Sequence, residues 1–135
     1  MSSDTPGVRR TDRTPKDATR AAWDRYYNEA RKRAWKGCQA CPPEQRNPKA
    51  WLEVHHVISQ QRLKRLAVER KLPSVRRLDL LTDPRNSIVL CKECHHKHTV
   101  RFERLPLAVI PAAAWDFARE NGLKDELIKE YARER

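Results

Sequence analysis

No stretch of this 135-residue chain is apolar for long enough to cross a membrane, and its first residues lack the apolar run of a secretory leader. A reducing cytoplasm is therefore the expected setting, with no membrane partner. There, cysteines more often bind metal or act in redox chemistry than form disulfides. Acidic residues are also in short supply: 18 Asp and Glu against 29 Lys and Arg give a formal net charge of +11. That shortage favours a polyanionic partner such as nucleic acid over a neutral small molecule, although a well-solvated basic surface would look the same. No internal repeat is visible, and the length suits one domain with a modest core that needs outside help.

What is present is unevenly placed. Residues 1–37 carry ten Lys/Arg against five Asp/Glu, residues 60–86 eight against three, and residues 101–135 seven of each. Two basic stretches thus flank a more neutral motif region, as expected if a duplex lies between them. Residues 1–13 show no apolar periodicity and read as a basic, mobile N-terminal arm. A single domain is expected over 14–135, with its motif core at 38–104 and a helical cap at 105–135.

A helix is predicted from Thr14-Pro15-Lys16-Asp17, with Trp23, Tyr26, Ala30 and Ala34 on one face and Gly37 as its stop. Core packing explains that aromatic face without invoking base stacking. Residues 51–58 read as a strand, 60–72 as a basic helix with Leu63, Leu66 and Ala67 inward, and 87–90 as a second strand. The stretch 74–81 is ambiguous in its secondary structure. Helices are predicted from His95 to Glu103, after Pro111 carrying Trp115 and Ala118, and around Leu127, Ile128 and Tyr131.

All four cysteines fall in two Cys-x-x-Cys pairs, Cys38/Cys41 and Cys91/Cys94, with 49 residues between them. Each short spacing lets two thiolates reach one ion, and two such knuckles complete a tetrahedral zinc site. A catalytic zinc keeps an open position, so a four-sulfur site is expected to be structural. Disulfides or a redox centre would not explain two matched pairs in a cytoplasmic chain. The five histidines, His55, His56, His95, His96 and His98, all lie beside these knuckles in sequence. Hydrolysing a phosphodiester needs a base for water, a cation for the phosphoryl charge, and something to orient the base. Histidine suits the first task, because its ordinary pKa lies near neutrality.

Cys38-x-x-Cys41, then Val54-His55-His56-Val57-Ile58, then Asn86-Ser87-Ile88-Val89-Leu90-Cys91-x-x-Cys94-His95 resembles the HNH endonuclease pattern of the zinc-knuckle type, over about residues 38–100. The resemblance implies an α+β, ββα-metal (His-Me finger) fold around one catalytic metal, with a leading helix, an inserted basic helix and C-terminal helices added here. It implies DNA cleavage or nicking, with His56 as general base, His55 and His95 as ligands of the catalytic ion, and Asn86 holding the loop and orienting the base. His98, one turn after His95, would be a third ligand or a phosphate contact, whereas His96 points elsewhere. Glu53 alternates with His55 and suits either support for the site or a plain surface position. Mg²⁺ or Mn²⁺ would be the working ion, although histidine ligands also suit Zn²⁺ or Ni²⁺. Lys97, Arg101 and Arg104 on the histidine helix, and Arg62, Lys64 and Arg65 on the inserted helix, are expected to contact the DNA backbone.

Small stand-alone members often come from phages, and some act beside a packaging terminase. A terminase subunit is thus one expected partner, and host cytoplasm the setting for a phage-encoded chain. Two departures from the pattern bear on substrate choice. Val57-Ile58-Ser59 stands where many relatives have Ile-x-Pro, and there is no glycine between Gly37 and Gly122 to form their Gly-rich loop. A DNA-binding module without cleavage, or an interaction protein using Trp115 and Tyr131, are the alternatives. The intact His55, His56, Asn86 and His95 set weighs against the first, since binding alone needs none of them.

Overall fold

The computed structural model of the protein describes residues 16–47, 51–99 and 105–131. The expected N-terminal arm, the Thr14 cap and Pro15 lie outside the described residues, as do Arg101 and Arg104. The first helix, α1, spans Lys16–Arg33. Its buried positions recur every four residues at Tyr26 and Ala30 and continue to Ala34 in the following turn. Ala30 and Ala34 have little side chain, so the helix approaches the sheet closely at Val89, Leu52 and Val54. Gly37, with φ of 109°, ends the turn. A Cβ there would meet the backbone of Asn47 at 3.0 Å, so the knuckle loop can pass this point only over a glycine.

Strand β1 covers Leu52–His56 and strand β2 covers Ser87–Cys91. They pair antiparallel, with Leu52 opposite Cys91 and His56 opposite Ser87. β1 is shorter than the predicted 51–58 because the ladder beyond His56 is replaced by a side chain. Asn86 Oδ1 accepts from Ile58 N at 2.8 Å, and Asn86 Nδ2 donates to Ile58 O at 3.1 Å. The chain must therefore turn away at Val57.

The segment between the strands corrects the expectation of one inserted helix. It contains two: α2 at Gln60–Glu69 and α3 at Ser74–Leu81. Ser59 caps α2 by accepting from Arg62 N at 3.2 Å, and Leu63, Leu66 and Ala67 face inward as predicted. The break between the two helices has a local cause. Lys71 adopts a left-handed φ of 55°, Leu72 N bonds back to Ala67 O at 3.0 Å, and Pro73 cannot continue a helical ladder.

A second correction concerns the histidine helix. α4 spans Lys92–Thr99 and begins directly at the end of β2, not at His95. Cys94 therefore lies in the first turn of the helix, and His95 and His98 follow one turn apart. After a 3-10 turn at Leu107–Val109, α5 (Ala112–Glu120) and α6 (Lys124–Tyr131) pack over the back of the sheet. Ala114, Phe117, Ala118, Leu123 and Leu127 are fully buried in this layer. Each large apolar side chain so buried stabilises by about 1.5–3 kcal/mol. Tyr131 is 5% exposed and so lies inside the core, whereas Trp115 packs against the core and is only partly buried. Among the described residues, no helix is long and apolar enough to cross a membrane. The architecture is α+β, with β1, β2 and α4 forming a ββα unit braced by α1 on one side and by α5 and α6 on the other.

Candidate active site

The four cysteines converge although their two pairs are far apart in sequence. Their sulfur atoms all lie within 4.8 Å of one another, and Cys41 Sγ is 3.7 Å from both Cys91 Sγ and Cys94 Sγ. Four sulfurs bound tetrahedrally at the usual Zn–S distance of about 2.3 Å sit about 3.8 Å apart, so the tetrad fits one tetrahedral cation of that size. The thiols are free, not paired as disulfides. Burial first, then the neighbouring thiols, pushes the Cys41 pKa up to about 11 and the Cys94 pKa higher. Gln39 ties the first knuckle to the sheet. Its N–H donates to Val89 O, and its Oε1 accepts from Val89 N, both at 2.8 Å.

The histidines gather at the other end of α4's first turns. His55 faces this helix, with its ring centroid 5.5 Å from His95 and 5.0 Å from His98. His98 in turn stacks on Tyr131, and the Tyr131 hydroxyl donates to Val57 O. Burial, then the nearby His98, His95 and His56 rings, lowers the His55 pKa to about 4. His55 is thus neutral near pH 7, the form that can ligate a cation. Glu53 lies two residues back on the same strand face, with Oε1 3.8 Å from His95 Nε2.

His56 points the other way, as strand alternation requires. Its ring stacks on Tyr26 at 4.5 Å and meets Trp23 edge-on at 5.7 Å. Its Nε2 lies 2.9 Å from Leu81 O. A carbonyl only accepts, so Nε2 carries the proton and Nδ1 is left as the basic atom of the neutral ring. Burial holds the His56 pKa below the ordinary histidine value, opposed by the bond to Leu81. Opposite faces do not separate the two histidines, because β1 ends at His56. Both edge one cleft of about 320 Å³, with Tyr27, Glu53, Ser59 and Gln60 along its walls.

Asn86 is fully buried beneath this junction, and both polar atoms of its side chain are taken by Ile58. Its backbone carbonyl accepts from the Tyr26 hydroxyl at 2.9 Å. Asn86 therefore holds the loop directly after His56 and also the ring stacked on His56. With Tyr131 on Val57 O and Glu130 Oε1 accepting from Ser59 N at 3.2 Å, three consecutive backbone residues are held by side chains.

The basic candidates divide. Lys64, Arg65, Lys97 and also His96 are exposed. Arg62 departs from the expected phosphate contact. Its guanidinium lies 2.9 Å from Glu126 and 3.1 Å from Glu130, with its side chain 18% exposed, so its charge joins α2 to α6. Sequence reasoning placed Tyr131 on a C-terminal helix or an interaction surface and not beside His98, missed the Leu81 carbonyl, and placed Tyr26 on a core face without its partner. A backbone acceptor leaves no mark in a sequence, and the aromatic–histidine stacks join elements up to 33 residues apart.

A closed four-thiol site beside histidines on a ββα unit defines a ββα-metal protein. A family model described as HNH endonuclease matches residues 38–101, from the first knuckle to just past α4, so this part of the chain is similar to the HNH endonuclease family. No curated protein and no solved structure matches the chain.

Proposed function

We propose that the protein is a metal-dependent endonuclease that hydrolyses DNA phosphodiester bonds, with His56 as general base. The observation that carries this reading is His55 packed against His95 and His98 while sharing a cleft with His56 at one strand end, over an asparagine whose side chain is wholly occupied in holding that end. His56, with Nε2 fixed on Leu81 O, takes a proton from water at Nδ1. The resulting hydroxide attacks phosphorus, and the bond to the 3′ oxygen breaks, leaving a 5′-phosphate and a 3′-hydroxyl. His55, His95 and His98 would hold the catalytic divalent cation. When bound, that ion stabilises charge on the phosphoryl and leaving oxygens. Mg²⁺ or Mn²⁺ is the proposed working ion, and an all-histidine set also suits Zn²⁺ or Ni²⁺. The four thiols hold a structural Zn²⁺, and the exposed Lys64, Arg65 and Lys97 contact the DNA backbone.

The test is cleavage of supercoiled plasmid by zinc-loaded protein with Mg²⁺, Mn²⁺ or EDTA, wild type beside His56→Ala. Metal-dependent nicking by wild type, reduced 10²–10⁴-fold in the variant with DNA binding retained, is the expected result for the loss of a general base (a range of roughly that size). Folded wild type that binds DNA but never cuts, whichever metal is supplied, would make this a binding module.

A further inference from the structure

The family match begins at Cys38, yet the wall of the histidine cleft is built partly from α1, which precedes it. Tyr27 lines that cleft together with His55 and His56. Its ring is held in place from within the helix, stacked on Trp23 at 6.0 Å and edge-on to Tyr26 at 5.3 Å. These are the same two rings that flank His56, so Tyr27 and the base share one aromatic scaffold. One turn further along, the Arg31 guanidinium lies over the Tyr27 ring, 5.7 Å from its centroid. Arg62 and Arg85 are each neutralised by two carboxylates, whereas Arg31 rests on an aromatic face and its side of the helix is exposed. A cation on a ring face keeps its outward N–H donors for another acceptor.

We infer that Tyr27 and Arg31 form a phosphate-binding subsite for the DNA strand entering the cleft, so that α1 is part of the substrate site and not only a brace for the sheet. This rests on the nuclease reading and adds to it the place where the backbone next to the cleaved bond is gripped. Tyr27 offers a hydroxyl and a flat ring beside the base, and Arg31 offers a fixed fork of donors with full charge. Together they suit a phosphate oxygen and the adjoining sugar.

The experiment uses the full zinc-loaded chain with no catalytic metal added, binding to a fluorescent DNA duplex across a salt series. Arg31→Gln should weaken binding roughly tenfold and reduce the slope of log K against log salt by about one, as for one lost phosphate contact. Arg33→Gln removes the same charge from the exposed end of α1 and should leave the slope nearly unchanged. Equal changes in both variants would mean general charge and overturn the subsite. Tyr27→Phe keeps the ring under Arg31 and removes only the hydroxyl, and it should raise KM for plasmid cleavage with kcat little altered. A fall in kcat at constant KM, or wild-type kinetics, would overturn the role of Tyr27. Absence of cleavage by wild type would instead refute the nuclease reading, while the binding arm still decides the subsite.

Discussion

The four thiols and the histidines around His55 are two clusters of donor groups that share the α4 helix through Cys94, His95 and His98, and they are built differently. The sulfur atoms lie within 4.8 Å of one another, close to tetrahedral contact, and all four positions are filled by the protein. The His55 ring stands 5.5 Å from His95 and 5.0 Å from His98, and His55 itself edges a cleft. A closed site can contribute only folding energy, whereas an open one leaves room for substrate and water. Sharing a helix makes the first a foundation for the second. Cys94 fixes the start of α4 against the first knuckle, and that fixes where His95 and His98 project.

Breaking the foundation should have the largest effect. Cys94→Ala, or chelation of the structural ion, should remove a contribution on the order of 10 kcal/mol and unfold the domain, read as loss of the cooperative thermal transition. A variant that stays folded and cuts DNA would mean the two sites are independent. His55→Ala sharpens the contrast from the other side. It should keep the structural metal and the thermal transition, while cleavage falls by roughly 10³-fold through the loss of several kcal/mol of transition-state stabilisation. Metal analysis beside the cleavage assay separates the two.

Asn86 holds the strand end that carries His55 and His56, so its loss should be felt in stability and in cleavage. Asn86→Ala strands the buried N–H and C=O of Ile58 and should cost about 2–6 kcal/mol in denaturant unfolding, with cleavage falling as well. Asn86→Asp keeps the acceptor but sets an oxygen against Ile58 O, and it should not restore the wild-type level.

The smallest effect concerns the ion pair that joins α2 to α6. The Arg62 hydrogen bond holds the Glu126 pKa below its ordinary value of 4.5. A depressed carboxylate contributes stability that is fully present above 4.5 and is lost as pH falls through the folded value. Glu126→Gln should therefore flatten the acid limb of thermal stability below pH 4.5 and leave the neutral region nearly parallel to wild type. An unchanged acid limb would show that the α2–α6 ion pair contributes nothing measurable.

Much of this was legible from residue order. The paired cysteine spacing predicted the four-thiol cluster, and Leu63, Leu66 and Ala67 marked the inward face of α2 before any coordinates. Short spacing is a strong predictor because few backbone paths connect residues three apart. The helix break at Lys71, the start of α4 at Lys92 and the use of Arg62 were not legible. Each depends on a partner far along the chain, or on a backbone torsion that a lysine adopts only under tertiary constraint.

The sequence by itself determined the donor chemistry: four thiols in two knuckles, histidines around them, and an asparagine between the strands. Those are properties of residue type and local spacing. Only the tertiary structure decided that His55 and His56, on opposite faces of β1, open on one cleft, because that depends on where the strand stops. It stops where Asn86, Tyr131 and Glu130 capture the backbone of Ile58, Val57 and Ser59 across 28 to 74 residues. Interactions of that reach follow from packing, and no local pattern records them.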